Sequence, residues 1–155
     1  MNAPRAVTEW EARGSVVSLG GVDCFILDEQ PDDADAPVIL LLHGFPGSTF
    51  DWRSVVDALR GRVRVISLDF PGAGLSAKPA DGSYSIFTYA DTAEALLAQL
   101  GVSSAVLVAH DLGTTVAAEL VHRHNAGMLG FDAAGCLLTN GSIFIDQAQL
   151  TDRQQ

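Results

Sequence analysis

Basic residues are scarce in this sequence. Lys and Arg number 9 against 19 Asp and Glu, a net charge of -10 at pH 7. Such a surface is repelled by phosphate backbones and anionic bilayers, which disfavours nucleic acid and membrane as partners. Cysteine is nearly absent. Cys24 and Cys136 stand in separate apolar stretches with no C-x-x-C spacing, so neither a zinc site nor a disulfide framework is expected, and both thiols are expected to be buried and reduced. No metal or cofactor is implied. No apolar run approaches the ~20 residues of a membrane span, and the opening MNAPRAVTEWEARG lacks the apolar centre of a signal peptide; a cytoplasmic location is the expectation. Internal repeats, low-complexity tracts and linkers are also missing. What remains is a chain of 155 residues that is 48% hydrophobic, enough for one domain with a buried core.

The pattern along the chain is that of an α/β sheet. Residues 14–19 and 22–28 flank Gly20-Gly21, a pair suited to the positive φ angles of a tight turn, and predict an antiparallel hairpin. Residues 38–42, VILLL, form a continuous apolar run, which suits a strand covered on both faces and hence a parallel sheet. A helix at about 50–60, a strand at 63–68, a helix at about 86–100, a strand at 104–110, a helix at about 112–124 and an apolar run ending at 136–139 follow. Strands alternating with helices mean a mostly parallel sheet after the first hairpin. The tail, 146–155, reads as a helix beginning rather than a domain ending, so the expectation over 1–155 is a single, partial core domain.

In open sheets of this kind ligands sit beyond the carboxyl ends of the parallel strands. Three loops stand there: HGFPGS after the first, DFPGAGLSAKP after the second and AHDLGT after the third. In the last, Asp111 lies between a strand and a helix with small residues, Ala109 and Gly113, two places to either side. This is the form of a nucleophile elbow, whose strained turn thrusts its central side chain into a site. The alternative is that Asp111 merely caps the helix. An elbow of this kind works with two backbone donors for an oxyanion, one from the residue after the nucleophile and one from the loop after the earlier strand. Leu112 and Phe45 are the candidates, although Gly44, Pro46 and Gly47 also suit an ordinary turn. The G-x-G at Gly72 and Gly74 invites a dinucleotide reading. Ala77 stands where the third glycine belongs and Lys78-Pro79 follows where a helix should begin, so no nicotinamide site is expected.

Taken in order, HGFP, the D-x-x-G-x-G-x-S-x-K-P string from Asp69 to Pro79 and the HD-L-G elbow resemble α/β-hydrolases of the epoxide hydrolase and haloalkane dehalogenase branch, over roughly residues 20–145. The stretch from Leu138 to Phe144 is also similar to mesoderm-specific transcript proteins. The resemblance implies the N-terminal part of that fold, with cap and C-terminal strands lying outside this sequence. It implies catalytic Asp111, displacing a leaving group from an sp³ carbon to form an alkyl ester, and a small apolar organic substrate, an epoxide or a halogenated alkane. Dehalogenases of the branch hold the halide with a Trp after the nucleophile and often an Asn after the His-Gly pair. Leu112 and Phe45 occupy those positions, and neither side chain carries an N–H donor. Epoxide chemistry is therefore favoured. The tyrosines that serve it come from a cap, and Tyr84 and Tyr89 lie in the wrong segment for that role.

Water attack on such an ester needs a histidine and an acid partner that follow the nucleophile in chain order. His122 and His124 fall near the far end of the helix after Asp111 and should be solvated. His43 and His110 should be structural hydrogen-bonders. Asn140 sits where some dehalogenases place the acid, but an amide cannot serve. The expectation is a chain that carries the nucleophile without its base, able to be alkylated once and unable to turn over, with an exposed sheet edge prone to pairing.

Overall fold

The computed structural model describes residues 4–141, apart from 81 and 83. Six strands form one sheet in the order β1-β2-β4-β3-β5-β6. The strands are β1 (Ser15–Leu19), β2 (Val22–Glu29), β3 (Val38–Leu42), β4 (Arg64–Leu68), β5 (Ser104–His110) and β6 (Asp132–Thr139). The helices are α1 (Arg5–Glu11), α2 (Arg53–Leu59), α3 (Ile86–Gln99) and α4 (Leu112–Asn125). β1 and β2 form the expected hairpin, with φ of 59° at Gly20 and 85° at Gly21. β2 also runs antiparallel to β4, and the remaining pairings are parallel.

Two cores explain why the central strands read as continuous apolar runs. Leu40 and Leu42 face a cluster with Ala90, Ala93, Leu97, Val116 and Leu120 of α3 and α4. Leu41, between them, faces the other side with Trp10, Phe25, Val56 and Val65. β3 is thus covered on both faces, and its side chains cannot alternate in polarity. On α4 the buried residues Gly113, Val116, Ala117 and Leu120 recur at helical spacing. Arg123 closes the outer seam, its guanidinium bonded to Glu119 at 2.8 Å and to Asp91 of α3 at 2.6 Å.

One element was not anticipated and two expectations change. Residues 5–11, to which the sequence assigned no element, form α1, held by buried Trp10, whose Nε1 donates to Thr49 Oγ1 at 3.1 Å. The helix expected from about residue 50 begins as a 3-10 turn, Thr49–Trp52, set by a capping box in which Ser48 and Asp51 hold each other's backbone amides. Cys24 is buried as expected, but Cys136 is exposed, because β6 is the outermost strand of the sheet among the described residues. The helix expected at 146–155 lies outside the described residues. Among those described, no helix is long and apolar enough to cross a membrane.

Candidate active site

The parallel strands β3, β4, β5 and β6 end at one edge of the sheet, and the loops leaving them build the site. Asp111 follows β5 with φ 52° and ψ -122°. A residue with a side chain pays about 1–3 kcal/mol for such a backbone, so the surroundings must hold it. They do so from both sides. The Asp111 amide donates to Thr139 O of β6 at 3.1 Å, and its carbonyl accepts from Thr114 N at 2.9 Å and Thr114 Oγ1 at 2.6 Å. Glycine is required next to it. A Cβ on Gly113 would meet the backbone carbonyl of His43 at 2.8 Å, and one on Gly44 would meet the Asp111 Cβ at 2.5 Å.

The capping alternative fails on geometry. Asp111 occupies the N-cap position of α4, yet its side chain makes no cap hydrogen bond. The carboxylate turns across the cleft instead, where Oδ1 accepts the Phe45 amide at 2.8 Å. Leu112, the first residue of α4, has an amide with no acceptor inside the helix, as holds for the first turn of any helix. Asp111, Phe45 and Leu112 thus share one cleft. All three line a cavity of about 650 Å³ that Tyr84 and Tyr89 also line. A second cavity, about 450 Å³, continues from Phe45 and Leu112 between the β3 and β4 loops. The Phe45-Pro46 peptide is cis.

Two buried polar groups tie these loops together. His43 is 2% exposed; its Nδ1 lies 2.7 Å from Gly44 O and its Nε2 accepts the Phe70 amide at 3.0 Å. That pairing fixes the neutral ring with the proton on Nδ1, and burial lowers its pKa below the ordinary 6.5. The ring is a structural hydrogen-bonder, as expected, and both nitrogens are engaged. Asp69, 1% exposed, accepts the Thr49 amide at 2.6 Å and the Leu75 amide at 2.7 Å. Ser76 supports it, donating to Asp69 O at 2.6 Å and accepting the Phe25 amide at 2.9 Å. Sequence reasoning assigned no role to Asp69 or Ser76, although the D-x-x-G-x-G-x-S spacing is the signal: Gly74 leaves room where a Cβ would strike the Asp69 carboxylate.

The state of His43 has a consequence for pH. Below the ordinary imidazole value of 6.5 the unfolded chain binds a proton that the folded site refuses. Stability should therefore fall as pH drops from about 7 to 5.5, with a limiting slope of about 1.4 kcal/mol per unit. Urea midpoints across that range test this, and a flat profile would rule out a buried neutral ring.

His110, His122, His124 and Asn140 do not line the cavity that holds Asp111. His110 is half-buried, edge-on to Trp52 with ring centroids 6.5 Å apart, and its Nε2 is 3.5 Å from Asn140 Nδ2. Asn140 has φ 54° at the end of β6. His122 is exposed as expected, whereas His124 is half-buried, its Nδ1 3.4 Å from the amide of Ala133, the second residue of β6. Tyr84 and Tyr89, set aside only for the role of cap tyrosines, line both cavities, one of which also holds Asp111. Spacing could not show this, since Tyr84 reaches back to Gly72 and Pro79 while Tyr89 rises from the start of α3.

Comparison with known proteins agrees with this architecture. Residues 37–141 match the family described as alpha/beta hydrolase fold. The chain is 37% identical over its full length to the Mycobacterium tuberculosis protein LipZ, covering 52% of it. It is 38% identical over 143 residues to the Homo sapiens mesoderm-specific transcript homolog protein, with 90% of this chain and 43% of that one aligned. Among solved structures, haloalkane dehalogenase DbeA from Bradyrhizobium elkani USDA94 superposes with a TM-score of 0.69 at 31% identity, covering 83% of this chain and 41% of that one. Epoxide hydrolase VrEH1 from Vigna radiata superposes with a TM-score of 0.68 at 30% identity, covering 79% and 38%. The chain spans about half the length of the curated relatives it matches. With its antiparallel hairpin, parallel strands and strand-to-helix turn at Asp111, the chain belongs to the α/β hydrolase fold family.

Proposed function

We propose that Asp111 is the nucleophile of an epoxide hydrolase-like reaction, with the amides of Phe45 and Leu112 as its oxyanion donors. The observation that carries this reading is the Asp111 carboxylate, turned away from its own helix and held 2.8 Å from the Phe45 amide on a strained turn. That bond occupies Oδ1 and leaves Oδ2 for attack. Oδ2 displaces the ring oxygen from an epoxide carbon: one C–O bond forms, one breaks, and the electron pair leaves on the epoxide oxygen, which takes a proton from solvent water. The product is an alkyl ester whose carbonyl oxygen is Oδ1. When water attacks that ester, charge develops on the atom already facing Phe45, so the donor needs no reorganisation.

Halide displacement would use the same carboxylate but needs side-chain N–H donors for the leaving ion. Leu112 and Phe45 have none, which favours the epoxide over the haloalkane. The second half-reaction needs a base. His43 is excluded because both its nitrogens are engaged. The test is to expose the folded chain to a reactive 1,2-epoxide and read intact mass. One equivalent of adduct should appear and map to the peptide containing Asp111; a folded sample without adduct refutes the assignment.

A further inference from the structure

We propose that Asn140-Gly141, at the end of β6, is a self-modifying site: the Gly141 backbone nitrogen attacks the Asn140 side chain, which loses ammonia and becomes a carboxylate beside His110. Each residue of the pair is imposed by shape. Asn140 stands at φ 54°, a backbone that Asn, Asp and Gly tolerate better than other residues. Gly141 lies against α4, where a Cβ would meet Thr114 Cβ at 2.8 Å. Thr114 in turn grips the Asp111 carbonyl through its amide and its hydroxyl. The same glycine leaves the attacking nitrogen unshielded, since it carries no Cβ.

The surroundings leave the pair free to react. Both residues are exposed, and among the described residues the Asn140 side chain has a single polar contact, His110 Nε2 at 3.5 Å, too long to hold it. Asn125 supplies the contrast. It is the last residue of α4, and the nitrogen after it, that of Ala126, donates to His122 O at 3.0 Å, so the helix keeps that nitrogen engaged. At Asn140 the Gly141 nitrogen gives its proton to hydroxide and bonds to Cγ. The Cγ–Nδ2 bond breaks, and the nitrogen takes a proton from water and leaves as ammonia, regenerating hydroxide. Water then opens either carbonyl of the cyclic imide, giving an aspartyl residue or its β-linked isomer. Both products carry a new negative charge. In the aspartyl product the carboxylate stands where the amide did and favours the protonated His110 ring. The β-linked product adds a methylene to the main chain just after Thr139, whose carbonyl holds the Asp111 amide at 3.1 Å. The modification thus reaches the strained turn from the strand that supports it.

The folded full chain and a free peptide of residues 137–143 are kept side by side at neutral pH for days, then digested and mapped by mass. By the time the free peptide has converted, the Asn140 segment of the folded chain should have exchanged NH₂ for OH and split into two chromatographic forms. The Asn125 segment should stay unchanged, and Asn140→Gln should abolish the conversion. An Asn140 segment still intact at that point, or conversion at Asn125 alone, overturns the proposal. The pairing with His110 has its own readout. In Asn140→Asp, which suits the same backbone, the His110 ring should titrate about 1 unit higher than in the parent by proton NMR. Asp51 and His43, which share a cavity with His110, and Asp111, next in the chain, are present in both proteins, so the difference reports residue 140. Equal titration in the two proteins overturns the pairing.

Discussion

Asp111→Asn should take up no epoxide while keeping its fold. An amide oxygen is a far weaker nucleophile than a carboxylate, and removing a nucleophile from enzymes of comparable mechanism costs at least about 10³-fold in rate. Asparagine nevertheless fits the turn. Its Oδ1 can accept the Phe45 amide as the carboxylate does at 2.8 Å, and Asn is among the few residues that tolerate positive φ. Stability should change by no more than about 1 kcal/mol. Intact-mass labelling alongside a urea melt measures both quantities. An adduct forming on the folded Asn variant at the parental rate would place the reactive group elsewhere, in the thiol of exposed Cys136, for example. Peptide mapping would identify it.

The largest effect on stability is expected at Asp69, which does not line the cavity holding Asp111. Its two oxygens accept the amides of Thr49 and Leu75 at 2.6 and 2.7 Å, and it is 1% exposed. Asp69→Ala would leave the buried Thr49 amide and the part-buried Leu75 amide without their acceptor. At about 1–3 kcal/mol per unsatisfied group the loss should be about 3–5 kcal/mol, a large share of the ~5–15 kcal/mol that stabilises a typical domain. Asp69→Asn keeps one acceptor but turns an NH₂ toward the other amide, so it should lie between the two. Urea midpoints of the three proteins order them. An alanine variant within about 1 kcal/mol of the parent would mean that other groups hold these loops.

The sheet was legible because its signals are local. VILLL marks a strand covered on both faces, Gly20-Gly21 marks a two-residue turn, and the Ala109-to-Gly113 spacing marks a sharp turn after a strand. That the Asp111 side chain turns across the cleft instead of capping α4 was only half legible, since its partner, the Phe45 amide, is 66 residues away in the chain. Trp10 escaped notice for the same reason: its partner Thr49 is 39 residues distant, and α1, seven residues long, has no amphipathic repeat to betray it. Cys136 misled because an apolar stretch predicts burial only if something covers it, and β6 is the outermost strand among the described residues. That Tyr84 and Tyr89 line the cleft was not legible, because segment order does not show which side chains reach the strand ends.

Asp69 also sets a property of the mouth of the site as a whole. One loop carries Thr49 and, a few residues earlier, Phe45; the other carries Leu75 and, a few residues earlier, Phe70 and Pro71. Both hang from opposite oxygens of one side chain, like the jaws of a caliper sharing a pivot. Moving the loops apart would stretch the Thr49 bond, so the width of the opening is tied to one buried carboxylate.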